Sequence, residues 1–293
     1  MSVRFDRAYA QQAVCGPSRT SFLTGRRPDT TRVFNLDDYW RTVAGNFSTL
    51  PQYFKEHGYA SHGIGKIFHP GTSAGHADDS PYSWTDKYDR AQATLNTGSK
   101  DAAAIHPVDE TGGKLQDTVI ADNAIAWMKN HAQHGNQPFF LAVGFHKPHL
   151  PWVFPKQYLS LYPLSHIHLA KYRTKPSNIP DYAWSDFGEL RGYQDVASLH
   201  LTAPEYHIAD NEQLKLRQAY SASVSYMDAQ LGRVLDALHH NGFTQNTIIV
   251  FLGDHVTVVA LSLFRACQDA AYSQYPRGGH GHRVMGYTIR TDQ

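Results

Sequence analysis

The sequence predicts an α/β protein with a mixed, largely parallel sheet enclosed between helices. Long amphipathic helical patterns alternate with short apolar runs, which favours parallel strands joined by helices. Polar clusters follow the apolar runs directly, as they do at the carboxyl ends of strands in open α/β sheets, where ligands bind. The 293 residues suffice for one large domain, and 41% hydrophobic with 18% charged residues excludes disorder throughout.

The first helix–strand unit covers residues 114–144. Helical spacing of apolar residues predicts a helix over 114–134, and Gly135 can end it. Pro138 then leads into the apolar run 139–144, which is typical of a buried strand. The apolar residues at helical spacing are Ile120, Ala124, Trp127 and Met128.

The second unit repeats this order. A long helix is predicted over 211–240 and ends at Asn241 and Gly242, and the β-branched run 247–252 predicts a second buried strand. The intervening residues 147–210 are rich in Pro, Tyr, His and Asp and predict long surface loops, which often carry function. The apolar side of the helix carries Val224, Met227, Leu231, Val234 and Leu238.

Charge and cysteine content exclude several classes of protein. A formal net charge of +1 gives no indication of a nucleic-acid or membrane partner. Two cysteines, Cys15 and Cys267, cannot build the disulfide framework of a small secreted domain. No apolar run is long enough to span a bilayer, and the first residues lack the apolar core of a secretory signal. The chain is therefore expected to be soluble, without a readable secretory address.

The strongest chemical motif surrounds Cys15. Pro17 suits the first turn of a helix, so Cys15 is expected at the N-terminal end of a helix running toward Leu23, where free N–H groups favour an anion. Arg19 lies one turn later and can return positive charge to the thiol. A buried structural cysteine is the alternative. A cysteine-dependent phosphatase loop fits less well, because it needs Arg at the position of Ser21.

Three further clusters offer groups for anion binding, proton transfer and cation binding. A Lys and a His three residues apart can share one side of a turn and face one ligand. The cluster after the run 139–144 contains a proline that restrains its backbone. A carboxylate and a neighbouring His follow the run 247–252. These clusters are Lys66 with His69, then His146, Lys147 and His149, then Asp254 with His255.

The run 13–25, Ala-Val-Cys-Gly-Pro-Ser-Arg-Thr-Ser-Phe-Leu-Thr-Gly, resembles the signature of the formylglycine-dependent sulfatase family. The resemblance implies an alkaline-phosphatase-like fold and hydrolysis of sulfate esters, with Cys15 oxidised to formylglycine by the formylglycine-generating enzyme. It implies catalytic roles for Cys15, Arg19, Lys66, His69 and His146. It implies substrate contacts from Lys66, His146, Lys147 and His149, with His146 facing the sulfate. It implies one Ca²⁺ ion held by Cys15, Asp254 and His255.

Smaller matches indicate the branch of the family that removes the 2-O-sulfate of iduronate in heparan and dermatan sulfate. This branch implies glycosaminoglycan degradation in the lysosome. Asn46 begins a sequence, Asn-Phe-Ser, that accepts N-glycosylation in a secreted chain. Arg26, Arg27 and Lys147 could meet a polyanionic sugar. The matching runs are 25–32, 39–41, 44–49, 69–71 and 78–84.

The sequence also departs from the family pattern. No Asp-Asp pair precedes Cys15, and no further sulfate-binding Lys follows His255. We therefore expect residues 1–255 to be a partial catalytic domain and 256–293 a remnant of a C-terminal subdomain, with turnover impaired by an incomplete cation site. Two alternatives stay open: an inactive form that binds glycans or pairs with a full-length copy, and a related phosphodiesterase.

Overall fold

The computed structural model describes residues 3, 5, 7–97, 103–135, 137–170, 177–178, 180, 187–202 and 207–255. The α-helices are α1 (Cys15–Thr24), α2 (Pro28–Thr31), α3 (Trp40–Val43), α4 (Leu50–Glu56), α5 (Gln116–His134), α6 (Gly188–Arg191), α7 (Gln194–Ala197) and α8 (Asp210–His240). The strands are β1 (Ala60–Gly65), β2 (Ile105–Val108), β3 (Phe139–Gly144) and β4 (Trp152–Pro155). Short 3₁₀ turns cover Thr72–Ala74, Lys156–Leu161 and Leu164–His166.

The sheet that positions the site pairs β1 with β3 in parallel, as the sequence predicts. Their carboxyl ends approach closely, and the Lys66 amide donates to the Gly144 carbonyl at 2.8 Å. A Cβ at Gly65, where φ is +81°, would lie 2.2 Å from the Gly144 oxygen. Glycine is therefore required at this crossing. The consequence is that two loops rich in Lys and His leave the sheet side by side.

Helix α5 packs over this sheet and α8 packs against α5, and both predicted helices are confirmed. The α5 helix ends at Gly135 and buries Ile120, Ala124 and Met128, as the helical pattern predicts. Trp127 lies at the margin of the core and stacks on His62 with ring centroids 5.2 Å apart. The α8 helix ends at Asn241, also as expected.

A second parallel pair, β2 with β4, packs against α8 within the region predicted to be loops. Trp152 and Phe154 are buried there beside Tyr220 of α8. The carboxylate of Asp195 accepts the N–H groups of Ala104 and Ile105, which fixes the start of β2. The prediction of surface loops over 147–210 was thus wrong for β4 and for the short helices α6 and α7.

The strand predicted at 247–252 was also wrong. The segment has no ladder partner in the described part of the chain, and Ile248 and Val250 are 92% and 75% exposed. An apolar β-branched run forms a buried strand only where a neighbouring strand offers N–H and C=O groups. On the side of β1 away from β3, the backbone of Asp89 bonds to Gly63 and Gly65, so that edge of β1 is taken.

Within the described ranges, no helix is long and apolar enough to cross a membrane. Residues 256–293, predicted to form a remnant subdomain, lie outside the described residues, and so does Cys267. Their expected roles stay predictions.

Candidate active site

Cys15 is the first residue of α1, as the sequence predicts. Val14 before it is extended, with φ −138° and ψ 137°, and the helix closes at Gly25 with φ 64°. Gly16 permits close packing at this turn, since a Cβ there would lie 2.6 Å from the Asn35 carbonyl oxygen. The unpaired N–H groups of a helix start and the helix dipole both favour negative charge. Cys15 therefore stands at an anion-binding end of α1.

Cationic and imidazole groups converge on the Cys15 sulfur. His255 Nε2 lies 3.3 Å from Sγ and Lys66 Nζ lies 3.7 Å from it. Burial alone would raise the pKa of the thiol, but hydrogen bonds with His149, His255 and His69, together with the charge of Lys66, lower it to about 2. The unmodified side chain is therefore a thiolate at neutral pH.

Lys66 and His69 come together around one ligand position, as their spacing suggests. Lys66 follows β1 directly and is 8% exposed. Burial lowers the pKa of its ammonium, while the Cys15 thiolate opposes that shift. His69 reaches the same thiol, and its Nδ1 is buried without a hydrogen-bond partner. Beside the same thiol, the pair can hold an anion and exchange a proton.

The segment 146–149 contributes His149 to the surroundings of Cys15, and the expected contact of His146 with sulfate stays a prediction. His149, one of the secondary candidates, is the member of the segment whose imidazole helps to lower the pKa of the Cys15 thiol. Its Nδ1 lies 2.6 Å from the Leu150 carbonyl, which leaves Nε2 for the site. The pKa of His146 is lowered to about 3, chiefly by burial and then by the charges of Lys66 and Lys147. This imidazole is therefore neutral.

Lys147 directs its ammonium into its own loop. Its Nζ donates to the carbonyls of His149 and Pro151, at 3.2 Å and 2.7 Å. Burial and the charge of Lys66 lower the pKa of Lys147 to about 8, against the opposing charge of Asp117. The structure therefore brings Lys66, His69, His149 and His255 to the Cys15 sulfur and turns Lys147 away from it.

Arg19 connects the elements of the site and does not contact the sulfur itself. Its Nε donates to Asp254 Oδ2 at 2.8 Å, and its Nη1 donates to the carbonyls of Lys66 and Ile67. Ser18 strengthens the same junction by donating its hydroxyl to the Asp254 carbonyl at 2.6 Å. Arg19 and Ser18 therefore tie α1 to the end of β1 and to Asp254.

A cation could meet Cys15, Asp254 and His255, whose ligand atoms lie within 4.8 Å of one another. Among the described residues, Asp254 Oδ1 is buried and has no hydrogen-bond partner, as expected of an oxygen reserved for a cation. Burial raises the pKa of this carboxyl, against the charge of Arg19. Calcium, however, takes six to eight oxygen ligands. One carboxylate, one thiol and one imidazole do not complete such a site within the described residues.

Sequence reasoning missed Asp117 and Ser18. Asp117, in the first turn of α5, accepts the N–H groups of His146 and Lys147 at 2.8 Å and 2.9 Å. An acidic residue in a first helical turn is ordinary, and nothing in the sequence links it to residues about thirty positions later. Ser18 lies inside the motif at 13–25, where only its position beside Arg19 could have suggested a role.

Comparison with known proteins now defines the class. Residues 1–281 match the model of the family described as Sulfatase, and the chain belongs to the sulfatase family. Family members are generally metal-dependent.

Two curated relatives indicate the branch of the family to which this chain is similar. The iduronate 2-sulfatases of Mus musculus and Homo sapiens are each 46% identical to it over 266 residues. The match covers 87% of this chain and 48% of each relative. The chain thus spans about half the length of the curated relatives it matches. The crystal structure of a predicted sulfatase from Bacteroides thetaiotaomicron has a TM-score of 0.54 at 20% identity, covering 88% of this chain and 51% of that one. This likeness confirms the alkaline-phosphatase-like fold.

Proposed function

We propose that this chain carries the reaction centre of a sulfatase, a sulfuric ester hydrolase in which Cys15 acts as formylglycine. The observation that supports this most strongly is the convergence of Lys66, His69, His149 and His255 on Cys15 at the start of α1. This arrangement is complementary to a tetrahedral sulfate group, because it combines a helix N-terminus with a buried ammonium and imidazole donors.

The hydrated formylglycine would supply one hydroxyl to attack sulfur and a second whose proton is lost when sulfate is expelled and the aldehyde reforms. The chain's own residues then have separate tasks. Lys66 holds the sulfate oxygens where charge accumulates. His69 and His149 are placed to take and return protons at the nucleophile and the leaving alcohol. His146 is neutral and can only donate or accept a hydrogen bond. Arg19 holds the helix start in place.

The substrate class we propose is the 2-O-sulfate of iduronate in heparan and dermatan sulfate. The 46% identity to two iduronate 2-sulfatases supports it. Arg26 and Arg27 are exposed just beyond the end of α1, where a polyanionic chain could reach them.

We further propose that the protein is a lysosomal glycoprotein and a substrate of the formylglycine-generating enzyme. Formylglycine formation requires passage through the secretory pathway, where N-glycosylation also takes place. Asn46 is exposed, and its side-chain oxygen accepts a hydrogen bond from Arg41. This contact occupies the oxygen and leaves the amide nitrogen as the atom that a glycan would modify.

Turnover is proposed to be impaired, because the described residues offer the cation only one carboxylate. With Asp254 as its carboxylate, calcium is expected to bind with a dissociation constant of about 10⁻⁴ to 10⁻³ M. Titration calorimetry with calcium measures this directly. Binding tighter than about 10⁻⁶ M together with multiple turnovers would refute the impairment. Glycan binding without turnover is the second candidate, and the same incomplete ligand set favours it.

Parallel assays of an aryl sulfate and an aryl phosphate test the proposed reaction. The protein, produced through a secretory pathway, is expected to release sulfate faster than phosphate, and Cys15→Ala is expected to lower the rate by about 10³-fold or more. Cys267→Ala makes the same chemical change at the other cysteine and serves as the control. Faster release of phosphate would indicate a phosphodiesterase instead. Sulfate release that survives Cys15→Ala would exclude the proposed nucleophile.

A further inference from the structure

We propose that Asp117 and Lys147 are positioning residues that clamp the segment 146–151 and so hold His149 against Cys15. The inference rests on the proposed function, because it assigns a task within the same site. It also changes the role of Lys147, which the sequence suggested as a contact to the substrate. The clamp combines one buried carboxylate and one buried ammonium, each bonded to the backbone of the loop.

The carboxylate of Asp117 fixes the beginning of the segment. Asp117 is 2% exposed, and its two oxygens each accept one backbone N–H, from His146 at 2.8 Å and from Lys147 at 2.9 Å. Both amides lie just after β3, two and three residues beyond Gly144, where the loop leaves the sheet. A buried carboxylate is retained only where hydrogen bonds and an opposite charge compensate its lost hydration. Both amides and Lys147 provide that compensation.

The ammonium of Lys147 fixes the end of the segment. Its Nζ donates to the carbonyls of His149 and Pro151, which lie two and four residues later. These bonds turn the side chain back along its own loop. An ammonium bound to two carbonyls and facing a buried carboxylate has its hydrogen-bonding capacity largely used inside the protein. It is therefore poorly placed to meet a sulfate group.

His149 lies between these two points of attachment. Its backbone N–H donates to the His146 carbonyl at 2.9 Å, and its carbonyl accepts from Lys147. Its Nδ1 lies 2.6 Å from the Leu150 carbonyl, which leaves Nε2 as the ring nitrogen free to act on Cys15, whose pKa this imidazole lowers. Because catalysis depends on geometry, a displacement of about 1 Å can cost about 100-fold in rate. Loss of either attachment is expected to produce such a displacement.

Steady-state kinetics separate positioning from substrate binding. Asp117→Asn and Lys147→Met are each expected to lower kcat about 100-fold while KM stays within about threefold. The matched controls are Asp122→Asn, on the same helix, and Lys156→Met, both in exposed ion pairs, and they are expected to change kcat less than twofold. A raised KM with unchanged kcat in Lys147→Met would show that Lys147 binds the substrate and would overturn the inference.

Amide hydrogen exchange tests the clamp without reference to catalysis. The amides of His146, Lys147 and His149 are expected to be protected in the parent protein and to exchange at least about tenfold faster in Asp117→Asn. If that variant fails to fold, Lys147→Met is measured, where the His149 amide is expected to lose protection. Unchanged exchange in the variant measured would overturn the clamp. The remaining outcome is that the variants lose protection as expected while the parent protein hydrolyses no sulfate ester. That result would refute the proposed function and leave the clamp in place.

Discussion

Replacing Lys147 by Met should change how stability depends on pH. In the folded protein burial lowers the pKa of Lys147 to about 8, from an ordinary value of 10.5. When a folded pKa is depressed, the stability it contributes is present above the unfolded pKa and is lost as pH falls through the folded pKa. Between these values the unfolded chain binds the proton and the folded chain does not, so the unfolding free energy rises with pH.

The size of the effect follows from that pKa difference. At about 1.4 kcal/mol per pKa unit, it corresponds to about 3 kcal/mol of unfolding free energy gained between about pH 8 and about pH 10.5. Other titrating groups are common to both proteins, so the parent-minus-variant difference isolates Lys147. Below about pH 8 the difference in unfolding free energy between parent and variant should not change with pH. Its constant value there reflects the hydrogen bonds and packing that Lys147→Met removes.

Urea denaturation at a series of pH values measures this difference. The parent protein should gain stability relative to Lys147→Met across the alkaline interval, and Lys156→Met, which removes an exposed ammonium, should show no such rise. A flat difference through the whole interval would mean that burial does not lower the pKa of Lys147 in the folded protein, and would contradict this prediction.

Three other predictions concern α1. Gly16→Ala should destabilise the fold by about 1–3 kcal/mol in urea denaturation, because the new Cβ meets a backbone carbonyl oxygen at 2.6 Å. In the control Gly232→Ala, the new Cβ has no neighbouring atom within 4 Å, so this variant should not be destabilised. Arg19→Met should cost about 1.5–3 kcal/mol, since it removes the guanidinium that pairs with the half-buried carboxylate of Asp254, and the exposed Arg27→Met less than about 0.5 kcal/mol. In protein made without the converting enzyme, alkylation of Cys15 by iodoacetamide should be independent of pH from about 5 to about 8, because its pKa is about 2; a rate that rises tenfold per pH unit would contradict this.

Much of the fold was predictable because its main elements have strong local signals. Helices α5 and α8 follow long periodic patterns with clear ends, and β3 is bounded by Pro138 and a glycine. The segment 247–252 carries an equally strong strand pattern, yet it forms no strand. Strand formation depends on partners far away in sequence, and local composition carries no information about whether they are present.

The sequence could predict which residues gather around Cys15, but not how their side chains are oriented. The motif at 13–25 located Cys15 and its helix, because capping and motif spacing are local properties. Which of His146, Lys147 and His149 faces the thiol depends on the path of a loop with two prolines and on contacts with Asp117, about thirty residues earlier. Such contacts are tertiary, and no spacing rule predicts them.

The chemical state of Cys15 tests the central claim most directly. Mass spectrometry of the peptide that contains Cys15, from protein secreted by cells with an active converting enzyme, measures it. We predict the mass decrease that accompanies replacement of the thiol by an aldehyde, with Cys267 unchanged in the same sample. A peptide that retains an intact thiol throughout would contradict the assignment of Cys15 as the precursor of a sulfatase nucleophile.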